Sequence, residues 1–221
     1  MKFRNIILGN YREKVVSDII SKEISHLGNL RSKKIIKIID YGSGYNPIVI
    51  KKIIKKLSNK YKKKKIKAWC FDYYNQKQIA LMNKQKNIKF FHVDSLKNKN
   101  LGKYHFCLII DVLHHIGLKD KDKIFKIFRK LKNISKFIFI KDHFQYGFFS
   151  NFILILMDIF GNYKDGVKIP SIYFTKETYN NLIKKINLLE IKRLNKLSYY
   201  KWYWFYLNSK KLQFISILKK K

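Results

Sequence analysis

The sequence predicts an α/β protein, with a mostly parallel sheet, helices on both faces and an antiparallel hairpin strand at the C-terminus. Three observations predict it. Strand-like apolar runs alternate five times with helix-like stretches across short links. Four of those runs in a row end in an acid, at Asp40, Asp72, Asp94 and Asp111. The first run, Ile35 to Asp40, breaks at once into Gly42 and Gly44 before a helix begins.

Taken in order, residues 11–27 place Val15, Val16, Ile19, Ile20, Ile24 and Leu27 in one apolar stripe at helical spacing, and Gly28 can end the helix. Strand 35–40 is rich in Ile without alternation, as in a strand buried on both faces. A helix over 47–58 follows, with Ile50, Ile53, Ile54 and Leu57 inward, Asn46 as its expected cap and Pro47 at its first position. Strand 66–71, a weaker helix at 75–85, strand 88–93, strand 106–110, helix 119–132 and strand 136–140 complete the alternation.

After strand 136–140 the pattern changes. An apolar helix over 148–160 leads to a loop with Gly161, Gly166 and Pro170, and Thr175 can cap a helix over 176–187. Two closing strands are expected near 188–197 and 212–218, around the aromatic run 199–206. The whole chain, 1–221, reads as one domain, with residues 1–30 as a helical flap and 144–187 as an insertion that covers a site. The 148–160 helix is apolar nearly all round, so it calls for burial on more than one side.

Net charge is +35, from 49 Lys and Arg against 14 Asp and Glu. Such a balance invites an anionic partner, either nucleic acid or a membrane surface. Arg appears only five times, and the lysines are spread along the chain. Specific phosphate recognition favours Arg for its bidentate fork. Nucleic acid binding is therefore expected to be non-specific, and a general bias toward Lys, Ile and Asn explains the charge as well. Cys70 and Cys107 fall inside strands and read as buried thiols, so neither a disulfide framework nor a metal site is expected. No apolar run reaches the roughly 20 residues of a membrane span, and the N-terminus lacks a signal-peptide core. A cytoplasmic protein is expected, with peripheral membrane contact left open.

Ligands of open α/β sheets bind outside the carboxyl ends of the strands, where the four acids lie. The Gly42–Gly44 turn lets a ligand approach the backbone closely. Asp72, at the end of the second strand, can accept two hydrogen bonds from a ribose diol. A dinucleotide would suit the same logic, but its third glycine is missing.

Ile39-Asp40-Tyr41-Gly42-Ser43-Gly44, Phe71-Asp72, Val93-Asp94-Ser95 and Asp111-Val112-Leu113-His114-His115-Ile116 together resemble the motifs of class I S-adenosylmethionine-dependent methyltransferases. The resemblance covers about residues 34–143 and implies a Rossmann-like fold and S-adenosylmethionine as cofactor. It implies that Asp40, Gly42 and Gly44 form the turn facing the methionine and ribose. It also implies that Asp72 binds the ribose, that Asp94 and Ser95 bracket the adenine, and that Asp111 lines the wall near the methionine. Asn46 departs from the pattern, since many members have a glycine there.

A sulfonium methyl is already activated, so the protein has mainly to align it for in-line attack in a dry site. A hydroxyl acceptor also needs a base, and His115 and His143 are the candidates, beside His114 and Asp142. The post-strand segment Asp111-Val112-Leu113-His114-His115 differs from the Pro-Pro-aromatic motif of enzymes that methylate nucleic acid bases. A small-molecule or lipid-like acceptor is expected. An RNA methyltransferase and a non-catalytic α/β binding module are the alternatives.

Overall fold

In the computed structural model, residues 11–27, 29–97, 102–116, 120–162, 169–195, 197 and 210–221 are described. The strands are β1 (Ile35–Tyr41), β2 (Lys65–Asp72), β3 (Ile88–His92), β4 (Tyr104–Ile110), β5 (Ser135–His143), β6 (Leu188–Asn195) and β7 (Gln213–Lys220). The helices are α1 (Tyr11–Leu27), α2 (Ile48–Lys60), α3 (Gln76–Met82), α4 (Leu113–Ile116), α5 (Lys121–Ile134), α6 (Phe148–Asn162) and α7 (Lys176–Ile186). The strands form one sheet in the order β3-β2-β1-β4-β5-β7-β6. β1 pairs in parallel with β2 and β4, and β2 with β3. β6 and β7 are antiparallel, as the sequence predicts for the C-terminal hairpin.

The chain divides into two compact units. One is built from residues 13–110 with 130–139, the other from 1–12, 111–129 and 140–221. In the first, the Ile-rich β1 buries Ile36, Ile38 and Ile39 completely. α2 buries Ile50, Ile53, Ile54 and Leu57, the i, i+3, i+4, i+7 set of one helix face. α3 buries nothing. Asn75 and Gln78 hold its start in a reciprocal capping box at 2.8 and 2.9 Å, so local chemistry stands in for packing. Cys70 and Cys107 are buried free thiols.

Two local expectations are corrected. Asn46 does not cap α2: Pro47 occupies the cap position and no side chain bonds the first turn. The Asn46 carbonyl instead accepts the Ile48 N–H at 2.7 Å, and its side chain accepts from Lys51 Nζ at 3.5 Å. The third strand ends at His92, and Val93–Lys97, with Asp94, turns as a short 3₁₀ helix.

In the second unit, α7 starts at Thr175, which forms a capping box with Thr178, and stops at Asn187 in the left-handed conformation (φ 58°). β6 is the outermost strand, with Lys192 and Arg193 in its middle and a bulge between Glu190 and Lys192. Phe144, Tyr179 and Phe214 pack as a ring cluster, Phe144 stacked on Phe214 at 3.9 Å between centroids. β5 runs three residues past the expected end, so Lys141, Asp142 and His143 are strand residues, all buried.

α6 differs from its expected burial. Leu154 is buried beside Tyr173 and Leu212, but Phe148, Phe149, Phe152, Ile159 and Phe160 are exposed. The helix packs one side only. The aromatic run 199–206, Gly28 and Gly166 lie outside the described residues.

Candidate active site

Each unit carries its own group of site residues. In the first, β1 ends in the turn Gly42-Ser43-Gly44. Gly42 and Gly44 have φ of 74° and 66°, which side-chain-bearing residues rarely adopt. The turn is fastened to the end of β2 at four points. Gly42 N–H donates to the Phe71 carbonyl at 2.8 Å. Gly44 N–H donates to Asp72 Oδ2 at 2.7 Å. The Tyr74 hydroxyl donates to the Gly44 carbonyl at 2.7 Å and lies 2.6 Å from Ser43 Oγ.

Asp72 Oδ1 also accepts the Tyr73 N–H at 2.7 Å. An ionised carboxylate has about four acceptor positions, so roughly two remain for a ligand. A Cβ on Gly44 would meet nothing within 4 Å, so that side of the turn is open. Burial, and then the charge of Asp72, raise the pKa of Asp40 to about 7. Asp94, in the 3₁₀ turn after β3, donates its N–H to His92 Nδ1 at 3.2 Å, and Ser95 follows it. The sequence missed Tyr74. Its role depends on a contact 30 residues away that no spacing announces.

The second group centres on Asp142 at the end of β5. Its carboxylate accepts four hydrogen bonds: His114 Nδ1 at 2.6 Å, His143 N–H at 2.7 Å, Leu113 N–H at 3.1 Å and His114 N–H at 3.4 Å. The acid caps α4 and grips the His114 ring at once. With its lone pairs used, it holds other groups in place and has none left to act as a base.

The other nitrogen of His114, Nε2, stands 3.3 Å from Asp158 Oδ2. That same oxygen takes the Tyr173 hydroxyl at 2.5 Å, and Tyr173 stacks on the His114 ring at 5.2 Å. Burial pushes the His114 pKa down, but Asp142 and Asp158 outweigh it and raise it to about 9. The charge of His114 in turn holds Asp142 far below the usual carboxylate range, against its burial. Two sets, His114–His115–Asp158 and His114–Asp142–His143, are close enough to hold a metal ion. His114 belongs to both, and a ring protonated on both nitrogens has no lone pair to offer a metal.

His143 contrasts with it. Burial and the Lys141 ammonium lower its pKa to about 3. Nε2 lies 3.5 Å from Lys141 Nζ, which can only donate. Nδ1 lies 3.6 Å from Asp142 and 3.7 Å from Asp111. The ring is therefore neutral near pH 7, with its proton on the carboxylate side. Asp111, at φ 54°, pairs with both Lys141 and Arg12. His115 is the more accessible ring, with 18% of its side chain exposed and Nδ1 3.9 Å from Asp158. The sequence did not announce Asp158, Tyr173, Lys141 or Arg12 as parts of this group.

The fold and the glycine turn define a class: a Rossmann-like sheet of the kind found in S-adenosylmethionine-dependent methyltransferases. No protein-family model matches the sequence, and no curated protein matches it. Solved structures share the fold. The mitomycin 7-O-methyltransferase MmcR matches with a TM-score of 0.62 at 11% identity, over 96% of this chain and 55% of its own. Loganic acid methyltransferase, solved with S-adenosylhomocysteine, matches at 0.60 and 12%, over 96% and 94%. LepI, solved with S-adenosylmethionine, matches at 0.57 and 13%, over 91% and 46%. The chain thus spans about half the length of MmcR and of LepI.

Proposed function

We propose that this protein binds S-adenosylmethionine on the β1 turn and the end of β2, and directs its methyl group to a small-molecule or lipid-like acceptor. The observation that carries the reading is Asp72: one carboxylate ties down the glycine turn through Gly44 N–H and keeps acceptor positions for a vicinal diol. The fit is chemical as well as topological, because the turn has an open side at Gly44 and a backbone that admits close approach. MmcR and loganic acid methyltransferase, which share the fold, are named for methylating small molecules.

When bound, S-adenosylmethionine supplies a methyl group activated by its sulfonium. The chain's residues do the rest. Asp72 accepts the ribose hydroxyls, Asp94 and Ser95 flank the adenine, and Asp40 stands at the foot of the turn. Asp111, held by Lys141 and Arg12, lines the methionine side. His115 receives the proton of a hydroxyl acceptor, and Asp158 steadies the imidazolium that forms. His143, kept neutral, orients its neighbours and does not carry that proton. Within the described residues, α6 and α7 act as cover for the acceptor.

Titration calorimetry with S-adenosylmethionine and S-adenosylhomocysteine tests the reading. Micromolar binding is expected, weakened tenfold or more in Asp72→Ala, since a charge-assisted bond contributes about 1.5–3 kcal/mol. Neither heat nor a thermal shift with either ligand would end it.

A further inference from the structure

α6 presents a surface that methyl transfer does not explain. Phe148 is 89% exposed, Phe149 74% and Phe160 60%, with Phe152 and Ile159 also exposed. At about 100° per residue these five side chains fall within an arc of roughly 120° on one face of the helix. The opposite side carries Leu154, buried, and Asn151, whose side chain bonds the Ser171 carbonyl at 3.1 Å and the Tyr173 N–H at 3.0 Å. The one charged residue of α6, Asp158, is turned onto His114 and Tyr173. The exposed face therefore has no charge to desolvate.

Ile172, also exposed, lies on the segment that Asn151 fastens to the other side of α6. Tyr146, exposed just before the helix, donates its hydroxyl to the Lys211 carbonyl at 3.0 Å and so holds an exposed lysine near the helix start. Contiguous exposed apolar surface of this kind marks an interaction site.

The charge decides the partner. Residues 144–221 contain 14 Lys and Arg against four Asp and Glu, and one of those acids, Glu190, is paired with Arg193. A second copy would offer matching phenylalanines, but it would bring +35 against +35. Nucleic acid would satisfy the charge, but it has no apolar layer to receive an aliphatic and aromatic stripe. An anionic bilayer supplies both a negative surface and an apolar interior.

We infer that this protein docks on anionic lipid membranes, with the Phe148–Phe149–Phe152–Phe160 face of α6 entering the interface and Lys211, near the start of the helix, resting on the headgroups. The helix lies flat. It is 15 residues long, about 22 Å at 1.5 Å per residue, and among the described residues no helix is long and apolar enough to cross a membrane. This inference does not rest on methyl transfer and can stand or fall without it.

The test is co-sedimentation of the full chain with vesicles of phosphatidylcholine and phosphatidylglycerol in equal parts, or of phosphatidylcholine alone. Binding is expected with the mixed vesicles and much less with the neutral ones. Phe148→Ser/Phe149→Ser should lower the partition coefficient at least tenfold while leaving the melting temperature in place, because both side chains are already in water. Phe152→Trp should shift its emission to the blue on mixed vesicles and be quenched by brominated lipid chains. Any of these results would overturn the inference: equal vesicle binding by the double variant, an unquenched Phe152→Trp, or a wild-type dimer that the double variant dissolves. RNA that Phe148→Ser/Phe149→Ser binds less well than wild type would do so too, by moving the stripe to a nucleic acid site.

Discussion

Asp142 takes the Nδ1 hydrogen bond of His114 at 2.6 Å with both side chains wholly buried. A buried ion pair gains little overall, yet removing one member leaves the other uncompensated, at about 3–5 kcal/mol. His114→Phe strands Asp142 and Asp158 together. It should lower the urea midpoint far more than His115→Phe, which removes a partly exposed ring. Equal midpoints for the two variants would show that His114 does not bridge the acids.

The same pair fixes an alkaline limb. Free histidine titrates near 6.5 and His114 near 9. The folded pKa is raised, so the stabilisation is complete below pH 6.5 and is lost as pH rises through 9. Unfolding free energy measured from pH 6 to 10 should fall in that window, and His114→Phe should flatten the slope.

His143 sets an opposite, acid limb. Its folded pKa, about 3, lies below 6.5, so the unfolded chain takes up a proton that the native ring refuses as pH falls from 6.5 toward 3. Asp158, lowered to about 2, adds its own loss below pH 4. His143→Asn should remove the part of the acid slope that begins near pH 6.5 and leave the part below pH 4.

Asp40 works against the fold at high pH. Its pKa is raised from 3.8 to about 7, so the penalty is absent below about 4, grows through 7 and is constant above. Asp40→Asn should raise the melting temperature at pH 8 and leave it unchanged at pH 3.5. A gain of the same size at both values would mean that charge is not the cause.

Gly44 separates strain from space. Its φ of 66° disfavours any side chain, while a Cβ there meets nothing within 4 Å. Gly44→Ala should cost about 1–2 kcal/mol of stability, the usual left-handed penalty. Gly44→Leu should cost little more in stability, yet it should abolish binding of S-adenosylhomocysteine, because its side chain fills the open side of the turn. Calorimetry and thermal melts on the two variants separate the effects.

The sequence announced most of the sheet and the acid series, because both follow from local rules. Ile runs and helical spacing need no partner to be read, and Ile50, Ile53, Ile54 and Leu57 are buried as their period requires. It did not announce what depends on distant contacts. Lys141, wholly buried, follows an apolar strand and reads as the strand's polar end; its pairing with Asp111, 30 residues away, is not announced by any spacing. Asp158 and Tyr173, 15 residues apart, meet His114 through packing that no motif encodes. The cap of α2 failed for a geometric reason: Asn46 is consumed in a tight turn to Ile48, which leaves Pro47 at the helix start. The apolar α6 was expected to be covered on more than one side, and hydrophobicity alone could not tell a buried helix from one that waits for a partner.

β6 carries a consequence for solubility. An outer strand is a template on which other chains can add their own strands and grow into fibres. Here the bulge at Glu190–Lys192 breaks the straight run of amides, and Lys192 and Arg193 place two cations in the middle of the strand, one of them exposed. An incoming β6 from another molecule would have to match its own bulge to this one and bring like charges into contact. At this border of the sheet, edge-to-edge stacking is therefore disfavoured. Lys192→Val/Arg193→Val should turn that protected border into a nucleus for fibres that bind thioflavin.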